Sequence, residues 1–191
     1  MTRIIGGVLG SLRLKGPAKA TRPTSDRVKE SIFSRLESLE AIAGAKVLDL
    51  YAGTGALGIE AASRGAIAVT LIERDLSAIE VCKANLRKAE QSLQLIGNNC
   101  NFKLEARDAK KYLAQSQTNY DLVFLDPPYD LSKWQVEEVL LMLTARLNRG
   151  ALVVVERGSR LADFDHPKTL RMLNEARYGD TAVFLLTAPP K

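Results

Sequence analysis

At 191 residues the chain can bury a core without disulfide or metal staples, and one catalytic domain with a short appendage is expected. No apolar run approaches the ~20 residues that cross a bilayer, no signal-type apolar core opens the chain, and Cys82, Cys100 and the lone His166 are too few and too scattered for a disulfide framework, a zinc site or a histidine triad; a soluble, cytoplasmic protein without a metal is expected. The formal charge of +5 is uneven: residues 1–35 carry eight basic side chains against Asp26 and Glu30, and the other 156 carry 19 basic and 20 acidic ones, so a polyanion would dock at the N-terminal end.

Taken in chain order, Arg3 to Val8 and Ser11 to Leu14 around Gly10 suggest a small hairpin, and Ser25 or Thr24 caps a helix running to about Leu39. From residue 46 the pattern is strand, turn, helix, repeated. Lys46 to Tyr51 is a strand, and a glycine-rich turn leads from it into a helix through about Arg64. Ile67 to Ile72 is the second strand, Leu76 to about Leu95 a long helix, Phe102 to Glu105 a third strand and Lys110 to Ala114 a short helix. Tyr120 to Leu125 is the fourth strand and runs into Asp126-Pro127-Pro128-Tyr129. Trp134 to Leu147 carries helical periodicity with Gly150 as its stop, and Ala151 to Val155 is the fifth strand. Trp134 is expected to pack that helix on the sheet, and His166, before Pro167, to sit in a surface turn. Leu170 to Tyr178 and Ala182 to Leu186 read as two strands joined at Gly179-Asp180. The fold class is α/β: a mostly parallel sheet covered on both faces, an antiparallel C-terminal hairpin, and a basic hairpin-and-helix extension over residues 1–40 preceding a domain over 41–191.

Gly53-Thr54-Gly55-Ala56-Leu57-Gly58 satisfies GxGxxG between a strand and a helix, and Glu73 lies about 20 residues on, which by itself would suit a dinucleotide. Asp49, four positions before the first glycine, decides otherwise: a carboxylate there repels a pyrophosphate and favours an ammonium, such as that of S-adenosylmethionine. On this reading Tyr51, Ala52, Gly53, Thr54 and Gly55 approach the donor, Glu73 accepts both ribose hydroxyls with Arg74 beside it, and Asp108-Ala109 meets an adenine edge, although Asp108 serves equally as a helix cap. The alternative, in which Asp49 caps a strand end and the glycines only permit a turn, needs no ligand at all.

Two prolines after a buried strand lock the backbone into an extended turn. Asp126 and the rigid carbonyl of Pro127 then present two acceptors in a plane, which suits the two N–H donors of an exocyclic base amine; Pro128 holds the turn and Tyr129 can stack on the base. A methyl group delivered in line to that amine needs neither a metal nor a covalent enzyme intermediate.

The glycine turn followed by DPPY resembles the amino-methyltransferases of nucleic acids. Arg22-Pro23-Thr24-Ser25-Asp26-Arg27-Val28-Lys29-Glu30-Ser31-Ile32-Phe33, the run Asp49 to Ala61 and Tyr178-Gly179-Asp180-Thr181 are more specific, and with them nearly the whole chain resembles the bacterial 16S rRNA (guanine(966)-N(2))-methyltransferase family. The resemblance implies a Rossmann-like class I methyltransferase fold, S-adenosylmethionine as donor, and a guanine of 16S rRNA in the small ribosomal subunit as acceptor. Phosphate contacts are then expected from Arg13, Lys15, Arg22, Arg27 and Lys29, in an enzyme acting as a monomer. An adenine-N6 methyltransferase of DNA or RNA shares DPPY, and an inactive RNA-binding module would share the basic segment.

Overall fold

The computed structural model describes residues 2–16, 25–128, 130–161 and 163–189. In chain order these form β1 (Thr2–Arg3), β2 (Arg13–Leu14), α1 (Asp26–Ser38), β3 (Lys46–Leu50), α2 (Ala56–Ser63), β4 (Ala68–Glu73), α3 (Leu76–Leu95), β5 (Asn101–Ala106), α4 (Ala109–Gln115), β6 (Tyr120–Leu125), α5 (Lys133–Leu143), β7 (Leu147–Gly158), β8 (Arg171–Tyr178) and β9 (Thr181–Thr187). Strands β3 to β9 build one seven-stranded sheet in the order β5-β4-β3-β6-β7-β9-β8. The first five pair in parallel, and β9 runs antiparallel between β7 and β8. The C-terminal hairpin turns at Gly179-Asp180 as the sequence suggests, with Tyr178 paired to Thr181. No helix is long and apolar enough to cross a membrane among the described residues.

Alternation along the strands sorts side chains onto two cores. Val47, Leu71, Phe124 and Val154 face α1, α2 and α3, and Leu48, Leu50, Val123 and Val155 face α4 and α5. The N-terminal hairpin belongs to the first core through Ile4, Leu9 and Leu14, beside Ile32, Phe33 and Leu36 of α1. Polar groups hold it as well. Glu60 of α2, 0% exposed, accepts from the N–H groups of Ile5 (2.7 Å) and Gly6 (2.9 Å) and from Arg64 Nε (2.8 Å), so a buried carboxylate is fully compensated. Ser63 Oγ donates to the Gly6 carbonyl at 2.6 Å and accepts from Leu9 N–H at 2.8 Å. Helix α1 starts where its cap does, with Ser25 Oγ accepting from Val28 N–H.

Two sequence expectations fail near α5. Its buried positions are Val136, Val139, Leu140 and Leu143, the spacing of one helical face, and Trp134 lies two residues before Val136 on the other side. Trp134 is therefore 76% exposed and does not pack the helix on the sheet. The helix also ends at Leu143, and after one tight turn β7 begins at Leu147, so Gly150 is inside a strand rather than at a helix stop. There its φ of +70° falls in the stretch where β7 advances five positions, from Leu147 to Leu152, while β6 advances two, from Tyr120 to Leu122; glycine absorbs that bulge.

Candidate active site

Strand order reverses at β3, whose Leu50 pairs with Ile72 of β4 on one side and Leu125 of β6 on the other. The segments leaving the carboxyl ends of these strands open a crevice, the usual ligand position in an open α/β sheet. Tyr51, Glu73 and Asp126 stand at its rim, and Asp49 lies beneath it on the α2 side of β3.

The turn after β3 is built from unusual backbone. Tyr51 (φ +63°), Gly53 (φ +55°) and Gly55 (φ +78°) all take left-handed conformations. For a tyrosine that costs on the order of 1–2 kcal/mol, strain that the surrounding bonds must hold. Ala52 N–H donates to the Ile72 carbonyl at 3.0 Å, Gly53 N–H to Glu73 Oε2 at 2.8 Å, and Gly55 N–H to the Ala52 carbonyl at 2.7 Å. The glycines serve different ends. A Cβ on Gly55 would meet Cys82 Sγ at 2.9 Å, and one on Gly58 would meet Val69 Cγ1 at 2.9 Å and Asp49 Oδ2 at 3.2 Å, so both are required for packing. A Cβ on Gly53 would meet nothing nearer than the Tyr51 carbonyl at 3.9 Å: its face is open, leaving room for a ligand against the backbone.

Asp49 is 1% exposed, and its Oδ2 accepts from Gly58 N–H at 2.9 Å. Burial pushes its pKa up to about 7; the Gly58 N–H opposes the shift, and the charges of Asp126 and Glu73 add to it. Three carboxylates thus share one electrostatic neighbourhood, which a cation would relieve. Glu73 Oε1 accepts from the N–H groups of Arg74 (2.7 Å) and Asp75 (2.8 Å), and Oε2 from Gly53. Oε1 thus already has two donors and Oε2 one. Cys82 lies in the same wall with its thiol pushed up to about 12 by burial, so it is a packing group and stays protonated.

Asp108 caps α4, accepting from Lys110 N–H (3.0 Å) and Lys111 N–H (3.2 Å), with Arg74 Nη1 at 3.6 Å from its Oδ2; Ala109 beside it is buried. Both residues border the crevice next to Glu73, whose carbonyl accepts from Arg107 N–H at 2.8 Å. Asp126 is half-buried, Pro127 buried and Pro128 exposed, and Tyr129 lies outside the described residues. Beyond the turn, the buried Arg157 of β7 donates from Nη2 to the Leu131 carbonyl at 2.9 Å and from Nε to the Leu161 carbonyl at 3.3 Å, fastening the loop to the sheet. Sequence reading passed over Arg157, because an arginine near a strand end looks like a surface charge.

Of the basic residues singled out for phosphates, Arg13, Lys15 and Arg27 are exposed and make no ion pair among the described residues, and Arg22 lies outside them. Lys29 is a correction. It is 1% exposed, and its ammonium donates to the Arg3 carbonyl at 2.8 Å and pairs with Asp26 Oδ1 at 3.2 Å, so it braces the hairpin against α1 and offers nothing to a phosphate. Asn85 of α3 was also missed. Its signal was a polar residue among the core-facing positions Ile79, Cys82, Leu86 and Ala89.

The model of a protein family described as Conserved hypothetical protein 95 matches residues 2–187. The chain belongs to this family. It is similar to YlbH of Bacillus subtilis, 34% identical over 182 residues that cover 95% of this chain and 96% of the relative. Ribosomal RNA small subunit methyltransferase D of Escherichia coli is 33% identical over 161 residues, 78% of this chain and 76% of the relative. Among solved structures, yhhF of Escherichia coli superposes with a TM-score of 0.82 at 32% identity, covering 100% of this chain and 99% of its own. The doubly wound sheet with its antiparallel end is therefore shared with that structure.

Proposed function

We propose that this chain transfers a methyl group from S-adenosylmethionine to the exocyclic N2 of a guanine in the 16S rRNA of the small ribosomal subunit. One observation carries the reading: Asp49, Glu73 and Asp126 converge on the strand-order reversal, directly beside an open glycine turn and a Pro-Pro turn. A relative 33% identical to this chain is named as a small-subunit rRNA methyltransferase, which supports the class of acceptor. In this reading residues 1–40 form the RNA-contacting extension and residues 41–191 the donor-binding domain of a cytoplasmic monomer.

The residues present fit the donor. Asp49 supplies buried negative charge for an ammonium, the open face of Gly53 admits close backbone approach, Glu73 Oε2 retains capacity for one hydroxyl, and Tyr51, Ala52, Thr54, Arg74, Asp108 and Ala109 border the same crevice. When bound, S-adenosylmethionine supplies a methyl group made electrophilic by its sulfonium. Asp126 and the Pro127 carbonyl then accept from the two N–H groups of the guanine amine, turning its lone pair toward the methyl. The Asp126 carboxylate would stabilise the positive charge that develops on the amine nitrogen and receive the proton that leaves it. Tyr129 stacks on the base, and Arg13, Lys15, Arg22 and Arg27 hold phosphates around it.

The test offers methyl-labelled donor with 16S rRNA, small-subunit particles lacking the modification, and duplex DNA, and identifies the labelled nucleoside. Label in N2-methylguanosine of the rRNA is expected. Label in DNA alone, or in N6-methyladenosine, would overturn the reading.

A further inference from the structure

Asn85, 1% exposed, sits 31 and 70 positions from the groups it binds. Its Oδ1 accepts from Lys15 N–H at 2.8 Å, and its Nδ2 donates to the Lys15 carbonyl at 3.1 Å and to the Thr54 carbonyl at 2.9 Å. Both donors of the carboxamide are thus in use, on two different segments. Thr54 is the middle residue of the glycine turn, and Lys15 lies just beyond β2 on the basic segment. Three residues further along α3, Lys88 Nζ donates to the Arg13 carbonyl at 2.7 Å, so α3 clips this segment twice. Because the carboxamide is planar and buried, Thr54 cannot shift without straining the bonds to Lys15 or leaving a polar group unpaired.

We infer that Asn85 is a positioning residue that couples the donor turn to the RNA-contacting segment, so that donor and rRNA bind with positive cooperativity. Ordering the turn around the donor orders Asn85 and with it Lys15, and the entropy spent once is not spent again when RNA arrives. The linkage is reciprocal: RNA must tighten the donor by the same factor. This inference rests on the proposed function, which supplies the two ligands.

The experiment measures the affinity of S-adenosylhomocysteine, which cannot transfer a methyl group, for the full chain with and without saturating small-subunit particles. The wild type should bind about five-fold or more tightly with particles, the lower end of ordinary coupling, and Asn85→Ala should show a ratio near one. A role in stability alone would weaken both measurements and leave their ratio intact. Should Asn85→Ala fail to fold, a second pair decides: Lys15→Ala and Lys15→Pro both lose the ammonium and its share of particle affinity, but only Lys15→Ala keeps the amide N–H, so its ratio should exceed that of Lys15→Pro, which should be near one. Equal ratios in wild type and Asn85→Ala, or in the Lys15 pair, would overturn the inference while leaving the function in place. A wild type that methylates no rRNA would instead overturn the function, and the inference with it.

Discussion

Asp49 shows how one buried carboxylate sets both a cost and a ligand preference. Its pKa in the folded chain, about 7, exceeds its ordinary 3.8, so the folded protein binds the proton more tightly and this group's contribution to stability falls as pH rises from 3.8 through about 7. Asp49→Asn should accordingly raise the denaturant midpoint of the ligand-free protein at about pH 8 and leave it nearly unchanged at about pH 4. Donor binding should run the other way, because a cationic ligand favours the ionised form: affinity for S-adenosylhomocysteine should rise about ten-fold between about pH 6 and about pH 8, then level off. Calorimetry on wild type and Asp49→Asn checks this, and a flat profile in the wild type would remove the electrostatic role. The neighbouring glycines should divide in a similar way. Gly58→Ala drives a methyl group toward Val69 and Asp49 and should cost roughly 1–3 kcal/mol of stability by crowding, whereas the side chain of Gly53→Val points into open space and should abolish donor binding, its stability cost, also on the order of 1–3 kcal/mol, coming from a β-branched residue held at φ +55°.

At the scale of elements, the strands and the long helix were legible because each has one dominant signal. Leu76–Leu95 stands at the bounds its periodicity implies, and YDLVFL is buried at five of six positions. The end of α5 was not legible, since β7 opens, after Leu147, on the polar Asn148-Arg149-Gly150, which reads as a helix end or loop and not as a strand, and Gly150 looks the same as a stop or as a bulge. Trp134 misled for a related reason: residue type suggests burial, but the face is set by phase relative to Val136 and Val139. The attachment of the hairpin was invisible as well, because Glu60 in LGIEAAS reads as an exposed helix charge until Ile5 and Gly6 are seen to aim their N–H groups at it. Glu60→Ala removes one partner of a buried ion pair and three hydrogen bonds, and should destabilise the chain by about 3–5 kcal/mol. Hydrogen exchange at Ile5 and Gly6 should accelerate with it; unchanged protection there would mean that apolar packing alone holds the hairpin.

For the whole molecule, the decisive quantity is where charge is left unspent. The N-terminal excess of positive charge in the sequence overstates what the surface offers, since Lys29 is consumed inside and Arg3 pairs with Asp26 at 3.3 Å. Arg13, Lys15 and Arg27 remain exposed, and the first two belong to the segment clipped to α3, so their charge is held on a fixed surface beside the glycine turn. A polyanion docking there would release counterions, and affinity for the small-subunit particle should fall steeply with salt. Each phosphate contact removed should lower the slope of log K against log salt by about one unit, so an Arg13→Ala/Lys15→Ala double variant should lose between one and two units. Lys29→Met separates surface charge from total charge, because it removes the same formal unit from the same segment and should leave the slope alone while lowering the denaturant midpoint, having deprived the Arg3 carbonyl and Asp26 of their partner. Binding measured at several salt concentrations for the wild type and both variants decides the matter. A slope change for Lys29→Met about half that of the double variant would mean that only net charge counts, whereas an unchanged slope for the double variant would move the RNA contact away from this segment and toward the rim of the Pro-Pro turn.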